Sequence, residues 1–193
     1  MTGNTIQPKF IVGIGGSAGA LNAYKDLLTA LPSDTGMAFV IISHMSPTAH
    51  SQLALILQRS TKMPVTVASE AMPILANNVY VIPPDSDLTM ENYRFKVISP
   101  RIRRNKQIDL FFISLANEMG ARAVGIILSG YGGDGTAGCN HIKANGGTTF
   151  AQDMSAEVNH MPLRAQAAGC VDFVLPLNEI PGKLKRLAAA LKI

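Results

Sequence analysis

Ser17 stands at the crest of a glycine turn in the run Phe10-Ile11-Val12-Gly13-Ile14-Gly15-Gly16-Ser17-Ala18-Gly19-Ala20. Gly15-Gly16-Ser17-Ala18-Gly19 fits G-x-S-x-G, the elbow in which a sharp strand-to-helix turn lifts a nucleophile clear of the backbone. The overlapping Gly13-Ile14-Gly15-Gly16-Ser17-Ala18 fits G-x-G-x-x-A, a dinucleotide fingerprint. Serine is also a favoured N-cap, so Ser17 could simply start the next helix. Two further reactive side chains follow apolar runs: His44 after Val40-Ile41-Ile42-Ser43, and Asp134 in the glycine-rich turn after Ile126-Ile127-Leu128. Singly, each has a plain role, His44 as a loop histidine satisfied by backbone and Asp134 as the N-cap of a helix from Thr136. Together, a hydroxyl, an imidazole and a carboxylate are the parts of a Ser-His-Asp acyl-transfer site.

Other chemistries fit less well. A dinucleotide site expects an acidic residue ~20 positions beyond the glycines, to hold the ribose hydroxyls. The second apolar run ends instead in Ser43-His44-Met45. A Walker loop is excluded, because no G-K-[S/T] follows the glycines. His50, His141 and His160 make no tight metal-ligand pattern, and Asp85 and Asp87 after Pro83-Pro84 read as turn residues. No metal and no cofactor are expected.

The elements that must position these groups alternate. Strands are expected at Lys9–Ile14, Met37–Ile42, Val65–Ala68, Val79–Ile82, Ala123–Leu128, Thr148–Ala151 and Val171–Leu175. Helices are expected over Leu21–Leu31, from Leu53 to near Thr61, and over Leu110–Met119 with Gly120 as C-cap. Three more follow, at Thr136–Ala144, Met161–Ala168 and Ile180–Leu191. Asp87–Met90 and Tyr93–Ile98, flanking Glu91-Asn92, read as a β-hairpin outside the alternation. This pattern predicts an α/β fold: a doubly wound, mainly parallel sheet with helices on both faces plus a hairpin excursion. Strands buried on both faces read as continuous apolar runs, as Ala123–Leu128 does. In such a sheet ligands bind beyond the carboxyl ends of the strands, where Ser17, His44 and Asp134 all fall.

Composition narrows the class. The chain has 193 residues, enough for one domain with a substantial core, and no linker divides it. Hydrophobic residues are 47% and charged residues 16%, which excludes disorder and favours a buried sheet. No apolar run reaches the ~18–20 residues of a membrane span, and residues 1–9 carry no signal-peptide pattern. Cys139 and Cys170 form no C-x-x-C pair, so reduced thiols and a cytoplasmic location are expected. The net charge is +4, and Arg101, Arg103, Arg104 and Lys106 make the one basic cluster. Aromatic residues do not interleave with it, which argues against nucleic acid and leaves a solvated loop as the simplest reading.

Five blocks of the sequence resemble the catalytic domain of the chemotaxis protein-glutamate methylesterase family, CheB. They are Val12–Ala20, Ser43–Pro47, Val79–Pro84, Leu128–Gly138 and Gly169–Pro176, with Met161-Pro162 between the last two. The resemblance runs from Phe10 to Leu191 and is closest to the CheB domains of CheB–CheR fusion proteins. It implies that Ser17 is the nucleophile, His44 the general base and acid, and Asp134 the carboxylate that orients His44. It implies an oxyanion site of backbone N–H groups at Ala18 and in the turn at Tyr131 and Gly132. The implied reaction hydrolyses glutamate γ-methyl esters on the cytoplasmic helices of methylated chemoreceptors, releasing methanol, with glutamine deamidation as a second activity. No membrane insertion and no receiver domain are expected, and oligomeric state is left open. Two alternatives stay open: a regulatory interaction module of the same fold, and a dinucleotide-binding domain. Several positions depart from the family pattern: Ser17-Ala18-Gly19-Ala20 stands for Ser-Thr-Gly-Gly, so the threonine beside the nucleophile is missing; Tyr131 replaces methionine in the glycine turn; and Arg103-Arg104-Asn105-Lys106-Gln107 is more basic and less proline-like than the family's usual stretch there.

Overall fold

The computed structural model describes residues 6–44 and 47–190, with only the backbone described at 47–51. Met45 and Ser46 of the Ser43–Pro47 block, the His50 side chain and Leu191 lie outside these described residues. The elements run β1 (Ile11–Gly16), α1 (Ala20–Ala30), β2 (Ala38–Ser43), α2 (Pro47–Gln58), β3 (Val65–Val67) and β4 (Asn78–Val81). The chain continues with β5 (Asp87–Glu91), β6 (Arg94–Ile98), α3 (Gln107–Met119), β7 (Ala123–Ile127), α4 (Thr136–Ala144), β8 (Thr148–Gln152), α5 (His160–Ala167), β9 (Phe173–Leu175) and α6 (Ile180–Ala190).

Seven strands form one sheet in the order β3-β4-β2-β1-β7-β8-β9, with parallel pairings throughout. Every residue of β1, β2 and β7 is buried, because helices cover both faces of the centre. Side chains alternate between the two faces. Val12, Ile14, Phe39 and Ile41 pack with Tyr24 and Leu27 of α1, Leu57 of α2 and Leu184 of α6. Ile11, Val40, Ile42 and Ile127 pack with Ile108 and Phe112 of α3, Ile142 of α4 and Met161 of α5.

The chain winds one way from β1 to β2 and the other way from β7 to β8. β1 and β7 are neighbours, so the crevice at the switch point opens at their carboxyl ends. The G-x-G of β1 serves this packing. A Cβ on Gly13 would lie 2.6 Å from the Phe112 ring, and one on Gly15 2.6 Å from Ile108 Cγ2. Bare backbone at these two positions lets α3 lie close against β1, which brings the helix start to the strand ends.

Strand and helix ends differ from expectation by a few residues, and three of these differences have clear causes. The hairpin turn is Asn92-Tyr93, not Glu91-Asn92, with φ of 50° and 57° and Glu91 paired to Arg94. Two successive positive φ values are the signature of a two-residue I′ turn, whose twist matches the flanking strands. α2 begins at Pro47, well before Leu53, with proline in the first turn where its missing N–H costs nothing. α3 begins at Gln107 rather than Leu110, because the Asp134 carboxylate accepts from its first-turn Ile108 and Asp109 N–H groups. Gly120 closes α3 with φ 53°, as expected of a C-cap. Among the described residues, no helix is long and apolar enough to cross a membrane.

Candidate active site

β1 ends at Gly16, and the next three residues form the elbow. α1 is entered through Gly19 at φ 72°, with no side-chain cap, so Ser17 is not the N-cap. The Ser17 hydroxyl is left free of the helix. The Ser17 N–H donates to Ser129 O at 2.9 Å, and Ser129 Oγ donates to Ala18 O at 2.7 Å while accepting from Val158 N at 2.9 Å. These bonds stitch the end of β1 to the segment after β7. Gly130 completes the fit: a Cβ there would lie 2.9 Å from Ser17 Cβ and 2.2 Å from Met161 Sδ.

His44 follows β2 directly, and its N–H donates to Gly16 O at 3.4 Å. Its ring meets Asp134 through Nε2, 2.5 Å from Oδ2. The two side chains are 11% and 2% exposed, so the contact is shielded from water on the aspartate side. An ionised Asp134 fixes the tautomer with the proton on Nε2, which leaves Nδ1 as the acceptor. Ser17 and His44 line one cavity but share no hydrogen bond in this structure.

Asp134 does not cap the helix that follows it. Its Oδ2 accepts from Ile108 N at 3.0 Å and its Oδ1 from Asp109 N at 2.9 Å, so it caps α3 instead. Asp109 returns the arrangement, with Oδ1 accepting from Gly135 N at 2.8 Å and Gly138 N at 2.9 Å at the start of α4. Each carboxylate thus holds the positive end of the other's helix, where anions are favoured. Burial opposes ionisation of Asp134, but hydrogen bonds from His44 and from the Asp109 and Ile108 N–H groups outweigh it, leaving its pKa below the usual aspartate value. Asp109 goes the other way. Burial raises it, the Gly138 N–H and Lys106 pull it back, and the Asp134 charge adds to the rise.

The cavity around these groups is about 470 Å³, and Tyr131, Gly132 and Arg164 also line it. A larger one, about 630 Å³ between the ends of α1 and α2, lies at the far end of the sheet, away from this chemistry. Tyr131 is 61% exposed, with its ring edge-on to His160 at 5.1 Å. The N–H groups of Ala18, Tyr131 and Gly132 donate to no acceptor among the described residues. Tyr131 and Gly132 line the cavity and Ala18 follows Ser17 at its edge in sequence, so these unpaired donors are candidates to hold an anion. Nothing comparable exists for a metal: among the described residues no three His, Cys, Asp or Glu side chains converge. Asp87 anchors a loop, accepting from Ile102 N, Arg103 N and Gln107, and Asp85 pairs with Arg101 at 3.2 Å. Lys106, from the basic cluster, instead lines the cavity.

Sequence reasoning missed Asp109, Ser129 and Arg164. An acid in the first turn of a helix is ordinary, and only the fold shows that Asp109 reaches the start of the helix after Asp134. Arg164 had one signal, its place three residues after Met161.

Together these features define a class: a doubly wound α/β domain that gathers a serine, a histidine and a buried aspartate at its switch point. Comparison with known proteins places it more finely. The family model described as CheB methylesterase matches residues 12–184. The chain belongs to that family. It is 34% identical over 184 residues to a protein-glutamate methylesterase/protein-glutamine glutaminase of Hydrogenovibrio crunogenus, covering 92% of this chain and 49% of that protein. It is 35% identical over 187 residues to protein-glutamate methylesterase/protein-glutamine glutaminase 3 of Burkholderia thailandensis, covering 93% of this chain and 52% of that protein. The chain therefore spans about half the length of these two relatives. The crystal structure of the Thermotoga maritima CheB methylesterase catalytic domain superposes with a TM-score of 0.85 at 28% identity, covering 92% of this chain and 98% of that one.

Proposed function

We propose that this protein hydrolyses glutamate γ-methyl esters on a methylated chemoreceptor or related signalling protein in the cytoplasm, through an acyl-enzyme on Ser17. The observation that carries the reading is the His44–Asp134 hydrogen bond at 2.5 Å, in the cavity that Ser17 also lines. Family membership supports the reaction class, and the geometry supports the roles.

A serine hydroxyl is a weak nucleophile until a base takes its proton. His44 offers Nδ1 for this, because Nε2 is committed to Asp134. Proton transfer makes an imidazolium, and the ionised Asp134 stabilises that charge where water reaches little. Attack on the ester carbonyl places negative charge on its oxygen. The N–H of Ala18 and those of Tyr131 and Gly132 receive it, each such donor contributing roughly 3–4 kcal/mol to the transition state. His44 then gives its proton to the departing methoxide and methanol leaves. Water attacks the acyl-enzyme through the same base, freeing the glutamate carboxylate and Ser17. An amide in place of the ester would release ammonia by the same steps, which accounts for glutamine deamidation.

Backbone donors explain how the site functions with Ala18 where the family has threonine, since the N–H is unchanged. Methanol release from a helical peptide carrying one glutamate γ-methyl ester tests the reading. We expect catalytic methanol production. Its absence across a set of such peptides at high enzyme concentration would refute the assignment.

A further inference from the structure

We propose that Arg164 and Lys106 form a carboxylate-recognition subsite beside Ser17, so that an ester flanked by a free acidic side chain is the preferred substrate. The inference deepens the methylesterase reading and rests on it.

Arg164 is carried by α5, whose start is pinned to the glycine turn: Met161 N donates to Gly130 O at 2.9 Å, and Met161 is fully buried. One turn later, Arg164 lies against Gly133. A Cβ on that glycine would stand 3.0 Å from Arg164 Cδ and 3.3 Å from Nη1. The bare backbone at Gly133 thus gives the guanidinium arm its path along the turn that carries Asp134. The guanidinium is exposed at the wall of the Ser17–His44 cavity and has no carboxylate partner among the described residues. Lys106 lines the same cavity from the start of α3, 58% exposed, with Nζ 3.3 Å from Asp109 Oδ2.

The wall therefore holds two cations. Among the described residues its one acid is Asp134, already engaged by His44 and two backbone N–H groups. Glu157 packs beside Gly19, outside this wall. A neutral methyl ester gives Arg164 no partner, whereas a neighbouring carboxylate does, and Lys106, already paired with Asp109, adds a second positive charge to the wall. On a helical substrate, a side chain three or four residues from the ester lies about 5–6 Å away, within reach of a long arginine. Arginine also suits carboxylate as a planar, bidentate donor.

The test uses two labelled helical peptides, each with one glutamate γ-methyl ester, bearing Glu or its neutral isostere Gln four residues away. Binding is read by fluorescence anisotropy on Ser17→Ala protein, so that no ester is consumed. We expect the Glu peptide to bind roughly fivefold tighter at low salt, from an exposed Arg164 ion pair reinforced by the Lys106 charge. The preference should vanish near 1 M KCl, where the screening length is only about 3 Å. It should also vanish with Arg164→Gln plus Lys106→Gln, while Arg164→Lys with Lys106 intact keeps most of it. Equal binding of the two peptides at low salt, or a preference that survives the double substitution, would overturn the proposal. Turnover by protein with Ser17 in place separates the parent reading. The subsite predicts a lower KM for the Glu peptide at a shared kcat. Methanol from neither peptide would remove the methylesterase reading, and the binding ratio would still decide the subsite.

Discussion

Replacing Asp134 with asparagine separates what its charge does from what its shape does. Oδ2 serves His44 Nε2 and Ile108 N, and Oδ1 serves Asp109 N. An amide must put its NH2 group at one of these places. Facing Asp109 it loses one hydrogen bond, and facing His44 and Ile108 it loses two, so the first orientation wins. The fold then loses one buried bond to a charged acceptor and gains a donor facing a donor, a cost of about 1–3 kcal/mol. His44 keeps its tautomer but loses the anion beside its imidazolium. At ~4 Å between charge centres and an effective dielectric of ~20, that attraction is about 4 kcal/mol. The expected result is a roughly 10³-fold fall in kcat for methanol release, with the protein still folded at 25 °C. The stability difference should also depend on pH. The Asp134 pKa is lowered in the fold, so its contribution is present above the ordinary aspartate value and is lost as pH falls through the lower folded value. Urea unfolding should therefore give a constant gap between wild type and Asp134→Asn from neutral pH down to about pH 4, shrinking below it. A folded Asp134→Asn protein with kcat within tenfold of wild type would refute the role given to this carboxylate.

Three further substitutions test the scaffold. Gly130→Ala forces a methyl group toward Met161 Sδ and Ser17 Cβ, so we expect about 1–3 kcal/mol of destabilisation and at least a tenfold loss of activity. Gly132→Ala meets no atom within 4 Å and only strains a φ of 87°, so its thermal unfolding should shift by about 1 kcal/mol or a little more. Equal effects of the two would refute the packing argument. Tyr24→Phe removes a fully buried hydroxyl beside Ser43, the residue before His44. We expect about 1 kcal/mol lower stability by calorimetry, and an unchanged or raised melting temperature would count against this hydroxyl as a support of β2.

Much of this was legible in the sequence, for identifiable reasons. The central strands are buried on both faces, so their sequences are nearly unbroken apolar runs, and their ends could be placed. That placement picked out Ser17, His44 and Asp134, which the fold brings to one cavity. What escaped depends on contacts between distant segments. The G-x-G of β1 admits α3, but the side chains that need the space, Ile108 and Phe112, lie more than ninety residues away. Asp109 looked like an ordinary helix-start acid until the start of α4 was seen against it. The hairpin turn slipped by one because tyrosine at a positive φ runs against local preference, and the pairing of β5 with β6 overrides it. Arg164 sits on a short helix of weak pattern, and only the tie of that helix to Gly130 aims it at the cavity.

The central claim is that Ser17 attacks the ester. Methanol release by wild type and Ser17→Ala, measured side by side on one glutamate γ-methyl ester peptide, tests it most directly, with matched thermal unfolding as control. The account predicts that Ser17→Ala melts within about 1 kcal/mol of wild type and loses at least roughly 10³-fold in kcat. A Ser17→Ala protein that releases methanol within tenfold of the wild-type rate would contradict it.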